Sequence, residues 1–319
     1  MKLTKIEENG TNLPESRTLK KLKNEVPMLT KIFEMAGGSV VGRDHVGPAN
    51  LLLGKNNQDA YATYIGNDFA CAVVCDGCSG GISSEVGAKI AARLVVEKLT
   101  WMARTAVTTR RFPKPMDCRF WEVLKDEILY DIKILAKNIG QSMTEVVTNY
   151  FLFTIVGVFM DMDNTVVFGI GDGVFAVNGE LTRIGPFPGN EPPYLAYGGL
   201  VKSSLEETSP ELLQIKIHRT LPTDMVQSVL IGTDGVCDLI AAAEKNIPGK
   251  QKKVGGIHQF WQEDSYFKNS DAVRRKLSLT NSSVSTVNGE TGTLSIEHGL
   301  LPDDTTLVAI RRKLKEEGA

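Results

Sequence analysis

Between Asn67-Asp68 and Asp76-Gly77 the chain carries an unbroken apolar run, Phe69-Ala70-Cys71-Ala72-Val73-Val74-Cys75, which predicts a short strand buried on both faces. Ser83 and Ser84 follow as N-cap candidates. Beyond them Val86, Ile90, Leu94 and Ala91, Val95, Leu99 recur at every fourth position, the mark of a helix with one buried face. Phe120, Leu124, Ile128, Leu135 and Ile139 predict a second such helix. The period then changes. Residues 150–160 form a β-prone run, Asp163-Asn164 a turn, and residues 165–170 another strand. Gly171-Asp172-Gly173 is a tight turn, and residues 174–177 are a third strand closing at Asn178-Gly179. Short strands joined by short turns predict an antiparallel meander. Later strands are expected at 212–217, 226–231 and 306–310, with a helix starting near Gly235. Helices and strands fall in separate blocks, so the predicted class is α+β.

The ends differ in character. Residues 1–35 are polar, with Asn9-Gly10, Pro14 and a lysine-rich stretch at 20–23, and read as a flexible leader. The remainder is expected to form one folded domain over 36–314, starting near Gly38, followed by a polar tail at 315–319. The Asn-, Ser-, Thr- and Gly-rich stretch 280–292 reads as a loop. Arg110-Arg111 and residues 250–253 read as solvated loops, and Trp101, Trp121 and Trp261 as packing residues.

Composition narrows the field of functions. In 319 residues, 36 Lys and Arg face 38 Asp and Glu, a formal net charge of -2, which gives no global electrostatic case for nucleic acid or anionic membrane as partner. No run approaches the roughly 18 to 20 apolar residues of a membrane span, and the first residues lack the apolar stretch of a secretory signal. The five cysteines are too few and odd in number for a disulfide framework, so reduced thiols and a cytoplasmic location are expected. Cys71, Cys75 and Cys78 cluster, but no second cysteine pair or neighbouring histidine completes a zinc site. They read as core.

Four acidic sites share one setting. Asp76 and Asp234 each end an apolar run and precede a glycine; Asp59 and the pair Asp303-Asp304 each open a β-prone run. A lone Asp-Gly is usually a turn. Several carboxylates at strand ends, facing one cleft, instead demand a cation, and an oxygen-only set suits Mg²⁺ or Mn²⁺.

At these residues the sequence resembles the metal-dependent serine/threonine protein phosphatases of the protein phosphatase 2C type, most like the bacterial branch. The matching pieces are Asn57-Gln58-Asp59-Ala60, Val73 through Gly81, Gly169-Ile170-Gly171-Asp172-Gly173, Leu230 through Val236, and Asp303-Asp304-Thr305-Thr306-Leu307-Val308, in the family's order. The resemblance implies an antiparallel two-sheet β-sandwich flanked by helices on both faces, with two Mn²⁺ or Mg²⁺ ions in a cleft at one end. It implies that Asp76 bridges the ions, that the Gly77 carbonyl helps hold one, and that Asp234 and Asp303 complete the other. Asp59 binds metal or positions its water, and Asp59, Asp76 and Asp234 are the catalytic set. A hydroxide bridging the ions then attacks phosphorus in line. Asp172 is either a turn residue or a ligand for a third ion, a site that Asn149 in place of an aspartate makes doubtful.

Three positions depart from the family. Gly54 stands where relatives carry a phosphate-clamping arginine; Lys55 beside it is a weak phosphate-binding candidate, and Arg43 or Arg93 are spatial alternatives. Cys78 replaces a histidine that protonates the leaving group, leaving His45 as a candidate. Gln58 replaces a glutamate. The resemblance thus implies a hydrolase of phosphoserine or phosphothreonine in proteins, monomeric and opposed by a serine/threonine kinase. A regulatory pseudophosphatase is the alternative, and a hydrolase of small phosphorylated metabolites a third reading.

Overall fold

A computed structural model describes residues 28–45, 54–109, 114–200, 213–287, 289–290 and 292–313. Residues 1–27 of the leader, Arg110-Arg111, Leu212 and the 315–319 tail lie outside the described residues. The strands are β1 Phe33–Val40, β2 Asp59–Ile65, β3 Phe69–Asp76, β4 Ile155–Asp161, β5 Asn164–Ile170, β6 Gly173–Val177, β7 Glu180–Ile184, β8 Lys216–Pro222, β9 Ser228–Gly232, β10 Val284–Val287, β11 Leu294–Glu297 and β12 Thr305–Arg312. The α-helices are α1 Leu29–Ile32, α2 Ser84–Thr109, α3 Cys118–Ile139, α4 Met143–Tyr150, α5 Val236–Ala241, α6 Gln259–Gln262, α7 Ser265–Lys268 and α8 Ala272–Thr280. Two antiparallel five-stranded sheets, ordered β1-β12-β9-β6-β7 and β2-β3-β4-β5-β8, form the body of an α+β fold.

Three apolar layers explain the alternation along the strands. On β3, Ala70, Ala72 and Val74 meet Phe175, Val229, Ile231 and Val308 of the other sheet. Cys71, Val73 and Cys75 point the other way, into a core with α2, α3 and α4. The outer face of the first sheet, including Val174, Leu230 and Leu307, packs under α5 to α8. Both faces of both sheets are therefore covered, which is why β3 reads as one continuous apolar run. Cys71 and Cys75 are core residues, and burial pushes the Cys71 thiol up to about 12. On α2 the row Ala91, Val95, Leu99 is buried, whereas Val86 is exposed on its flank. Trp121 is buried, its indole N–H donating to the Pro115 carbonyl, but Trp101 is half-exposed.

Several expectations need correction. The fold begins before residue 36: Leu29 and Phe33 are fully buried between the sheets, so the end of the polar leader supplies apolar cover for the sandwich. The β-prone run at 150–160 opens in helix α4, with the strand starting only at Ile155. Stretch 280–292 is more than a loop, since Val284–Val287 pairs with Leu294–Glu297 as a hairpin. The meander is also broken. β5 and β6 belong to different sheets, so Gly171-Asp172-Gly173 is where the chain crosses between them. Gly171 at φ 91° and Gly173 at φ 144° take backbone angles that a side chain resists, and they make that crossing short.

Candidate metal and phosphate cleft

Strand register brings the acidic residues together. Asp59 and Asp76 are direct cross-strand partners on β2 and β3. Asp234 follows the end of β9, and Asp303 precedes the start of β12, its neighbour in the other sheet. Asp172 sits in the crossing, beside the β6 end that pairs Val174 with Gly232. Both sheets thus deliver aspartates to one end of the sandwich. A cleft of about 700 Å³ opens there, lined on one side by Asp76, Gly77, Asp172, Asp234 and Asp303. Its other wall is apolar and aromatic, with Phe187, Pro192, Pro193, Tyr194 and Tyr197.

A buried network holds the acidic end. Asp59, only 3% exposed, accepts from the Thr233 hydroxyl at 2.7 Å through Oδ2. The same hydroxyl oxygen accepts from the Thr306 amide at 3.1 Å, tying β9 to β12. Asp304, 2% exposed, accepts from the Gly42 amide at 2.5 Å, the Gln58 amide at 2.5 Å and His45 Nδ1 at 3.0 Å. Because a carboxylate only accepts, Nδ1 carries the proton, and His45 Nε2 is left facing Asp303 Oδ1 at 3.9 Å. At Gly235 a side chain would lie 2.0 Å from the Asp304 carbonyl oxygen, so this close approach requires glycine. Gly77 donates to the Gln58 carbonyl at 3.1 Å, which joins the β3 end to the segment before β2.

The electrostatics are those of crowded carboxylates. Burial first, then the neighbouring charges of Asp304 and Asp234, holds Asp59 well above the usual carboxylate range. Asp76 is raised likewise by burial and then by Asp59, Asp234, Asp303 and Asp172. Asp234 is pushed up to about 6 by burial and then by Asp303 and Asp172. Two buried oxygens, Asp59 Oδ1 and Gln58 Oε1, have no hydrogen-bond partner. Among the described residues no three His, Cys, Asp or Glu side chains close as a complete ligand set for one ion. Carboxylates offered singly beside carbonyls and space for water suit Mg²⁺-like cations, which keep much of their hydration. The all-oxygen donors, the orphaned oxygens and the mutual repulsion all fit divalent cations.

Of the residues singled out from sequence, Asp76, Gly77, Asp172, Asp234 and Asp303 line the cleft, and Asp59 stands behind them, buried. His45, Gln58 and Cys78 line it too. Lys55 does not. Its amine donates to the Ser79 carbonyl at 2.7 Å, and it borders a separate hollow with Gly54 and Arg274. Arg43 is paired with Asp44 and the Gly299 carbonyl, and Arg93 borders another hollow beside Asp59. Sequence reasoning missed Asp304 as a buried anchor, the bridging role of Thr233, and Asp238. The last lies on α5, four residues past Asp234, and is raised by burial and by Asp303. Its signal was the i+4 spacing from Asp234 on a helix.

Comparison with known proteins gives one family. A family model described as protein phosphatase 2C matches residues 46–272, a span that includes Asp59, Asp76, Asp172 and Asp234. Among solved structures, a bacterial serine phosphatase is 13% identical, with 89% of this chain and 99% of that chain covered and a TM-score of 0.49. The serine/threonine phosphatase Stp1 from Staphylococcus aureus is 14% identical over 88% of this chain and 96% of that chain, with a TM-score of 0.47. The catalytic domain of the serine threonine protein phosphatase PstP, solved in complex with 2 manganese ions, is 15% identical over 88% and 98%, with a TM-score of 0.43. No curated protein matches the chain.

Proposed function

The chain belongs to the protein phosphatase 2C family, and from that premise we propose that it removes phosphate from phosphoserine and phosphothreonine in proteins with the help of divalent cations. The observation that carries the reading is the convergence of aspartates from both sheets on one cleft, with Asp59 Oδ1 and Gln58 Oε1 buried and unpartnered behind it. Asp59, Asp76, the Gly77 carbonyl, Asp234 and Asp303 would hold two ions, Mn²⁺ or Mg²⁺, with Asp172 available to a third. Such ions polarise the phosphoryl group and activate water.

The chain's own residues do the rest. Thr233 and Asp304 fix the positions of Asp59 and of the segment before it, so the acidic face is built before substrate arrives. His45, oriented by Asp304, presents Nε2 to the cleft; as imidazolium, with a proton on Nε2 as well as on Nδ1, it is the group proposed to protonate the leaving alkoxide, the task Cys78 is poorly suited to. The apolar wall from Phe187 to Tyr197 excludes water from one side and offers a surface to the peptide around the phosphorylated side chain. No described helix is long and apolar enough to cross a membrane.

The test is hydrolysis of p-nitrophenyl phosphate and a phosphothreonine peptide with Mn²⁺, with Mg²⁺ and with chelator, beside Asp76→Asn. Turnover that needs metal and falls at least about a thousandfold in Asp76→Asn is expected. Melting temperature supplies a readout besides activity: metal should raise it in the wild type, and much less in the variant. A wild type whose melting is unmoved by either metal, and which hydrolyses neither substrate, would sink the reading. A metal-induced shift without turnover would make the chain a regulatory module.

A further inference from the structure

We propose that Arg183 selects protein substrates carrying an acidic residue beside the phosphorylated side chain, a specificity role that rests on the phosphatase reading above. β7 is the edge strand of its sheet, and its last residues reach the cleft. Arg183 lies directly opposite Val174, and Ile184 opposite Gly173. At the next residue, Gly185, a side chain would lie 3.2 Å from Asp172 Cβ. The end of β7 therefore abuts the acidic rim. Cross-strand partners share a face, and Val174 packs with Val236 and Leu239 of α5. Arg183 accordingly projects on the α5 side of the sheet, where Cys237 and Asp238 lie.

The other cations near this end point away from that edge. Lys55 is bonded to the Ser79 carbonyl and Arg43 to Asp44 and Gly299, while Arg93 faces a separate hollow behind Asp59. Arg183 is exposed and, among the described residues, its guanidinium makes no hydrogen bond or ion pair. Its charge is nevertheless felt along the rim, lowering the proton affinity of Asp172, Cys237 and Asp238.

Position decides what it binds. The proposed phosphate position is at Asp76 and Asp234, deeper in the cleft, whereas Arg183 stands at the outer edge beyond Asp172. A peptide whose phosphate occupies the centre would run past that edge. The aspartate side of the cleft would repel an acidic peptide, and the apolar wall opposite it offers no cation. At this edge the Arg183 guanidinium, which pairs with a carboxylate through two parallel hydrogen bonds, gives that peptide a place to dock. A lysine would supply the charge without the fork.

Three phosphothreonine peptides that differ only in a neutral, acidic or basic neighbour test this. The quantity read is the ratio of kcat/KM between peptides, in which any common loss cancels. The wild type should prefer the acidic over the neutral peptide by about fivefold, the upper range for an exposed ion pair. Arg183→Lys should keep part of that preference, and Arg183→Glu should reverse it in favour of the basic peptide. Equal use of the three peptides by the wild type overturns the proposal. So does an Arg183→Glu variant that slows all three by one factor, which would mark a phosphate-holding or structural residue. If the wild type hydrolyses nothing, p-nitrophenyl phosphate included, the phosphatase reading itself has failed. The same peptide ratios, read as binding by fluorescence anisotropy, then decide whether Arg183 reads charge.

Discussion

His218 shows how much a single residue's surroundings settle. It sits half-buried in β8 with its ring 6.0 Å from that of Phe175, and its Nε2 is buried without a hydrogen-bond partner. Burial, and then the charge of Lys216, holds its pKa below the ordinary histidine value. The unfolded chain therefore takes up a proton near pH 6.5 that the folded chain still refuses. The stability His218 contributes is present above that pH and is lost as pH falls through the lowered folded value. Urea midpoints at pH 7.5 and pH 5 should differ less in His218→Gln than in the wild type. An unchanged difference would mean that the ring titrates normally. Legibility at this scale was uneven. Asp59, Asp76, Asp234 and Asp303 were readable because each abuts an apolar run. Asp304 and Thr233 were not, since their meaning lies in partners such as Gln58, 246 positions away, and Asp59, 174 away. Lys55 shows the same dependence on distant partners: its amine is bonded to the Ser79 carbonyl, which adjacency to a motif in sequence does not reveal.

Element by element, the apolar period was a good guide to what forms and a poor guide to what it touches. β3, α2 and α3 follow their patterns because burial on one or two faces writes itself into the sequence. α4 was lost because its apolar residues run straight into the strand-like stretch that follows, and β10 and β11 because a polar hairpin has no buried face to advertise. Helix α2 carries a sharper lesson at Gly87. Helix propensity alone favours alanine there by about 1 kcal/mol. A side chain at that position would lie 1.7 Å from the Tyr150 carbonyl oxygen, at the end of α4. Gly87→Ala should therefore destabilise by at least about 2 kcal/mol, because backbone must move to admit the methyl group. The urea midpoint decides it, and a more stable variant would show that α4 is free to retreat.

At the scale of the molecule, the pairing of sheets is what the sequence could not display. A Gly-Asp-Gly turn is written the same way whether it closes a hairpin or carries the chain from one sheet to the other. Because it does the latter, the cleft has a foot on each sheet: Asp59 and Asp76 on one, Asp234 and Asp303 on the other, and Asp172 on the bridge between. The centre then behaves as a vernier, two scales whose marks coincide only when the plates are aligned. The apolar layer between the plates, where Val158, Val229 and Ile310 meet, sets that alignment from a distance. Val158→Ala should weaken Mn²⁺ binding measured by calorimetry severalfold, while Leu277→Ala, on the buried side of α8 against the outer face, should destabilise without that loss. Equal effects of the two on affinity would mean that the plates do not slide. If they do, the metal affinity proposed for this centre becomes a measure of how well the protein's own interior is packed.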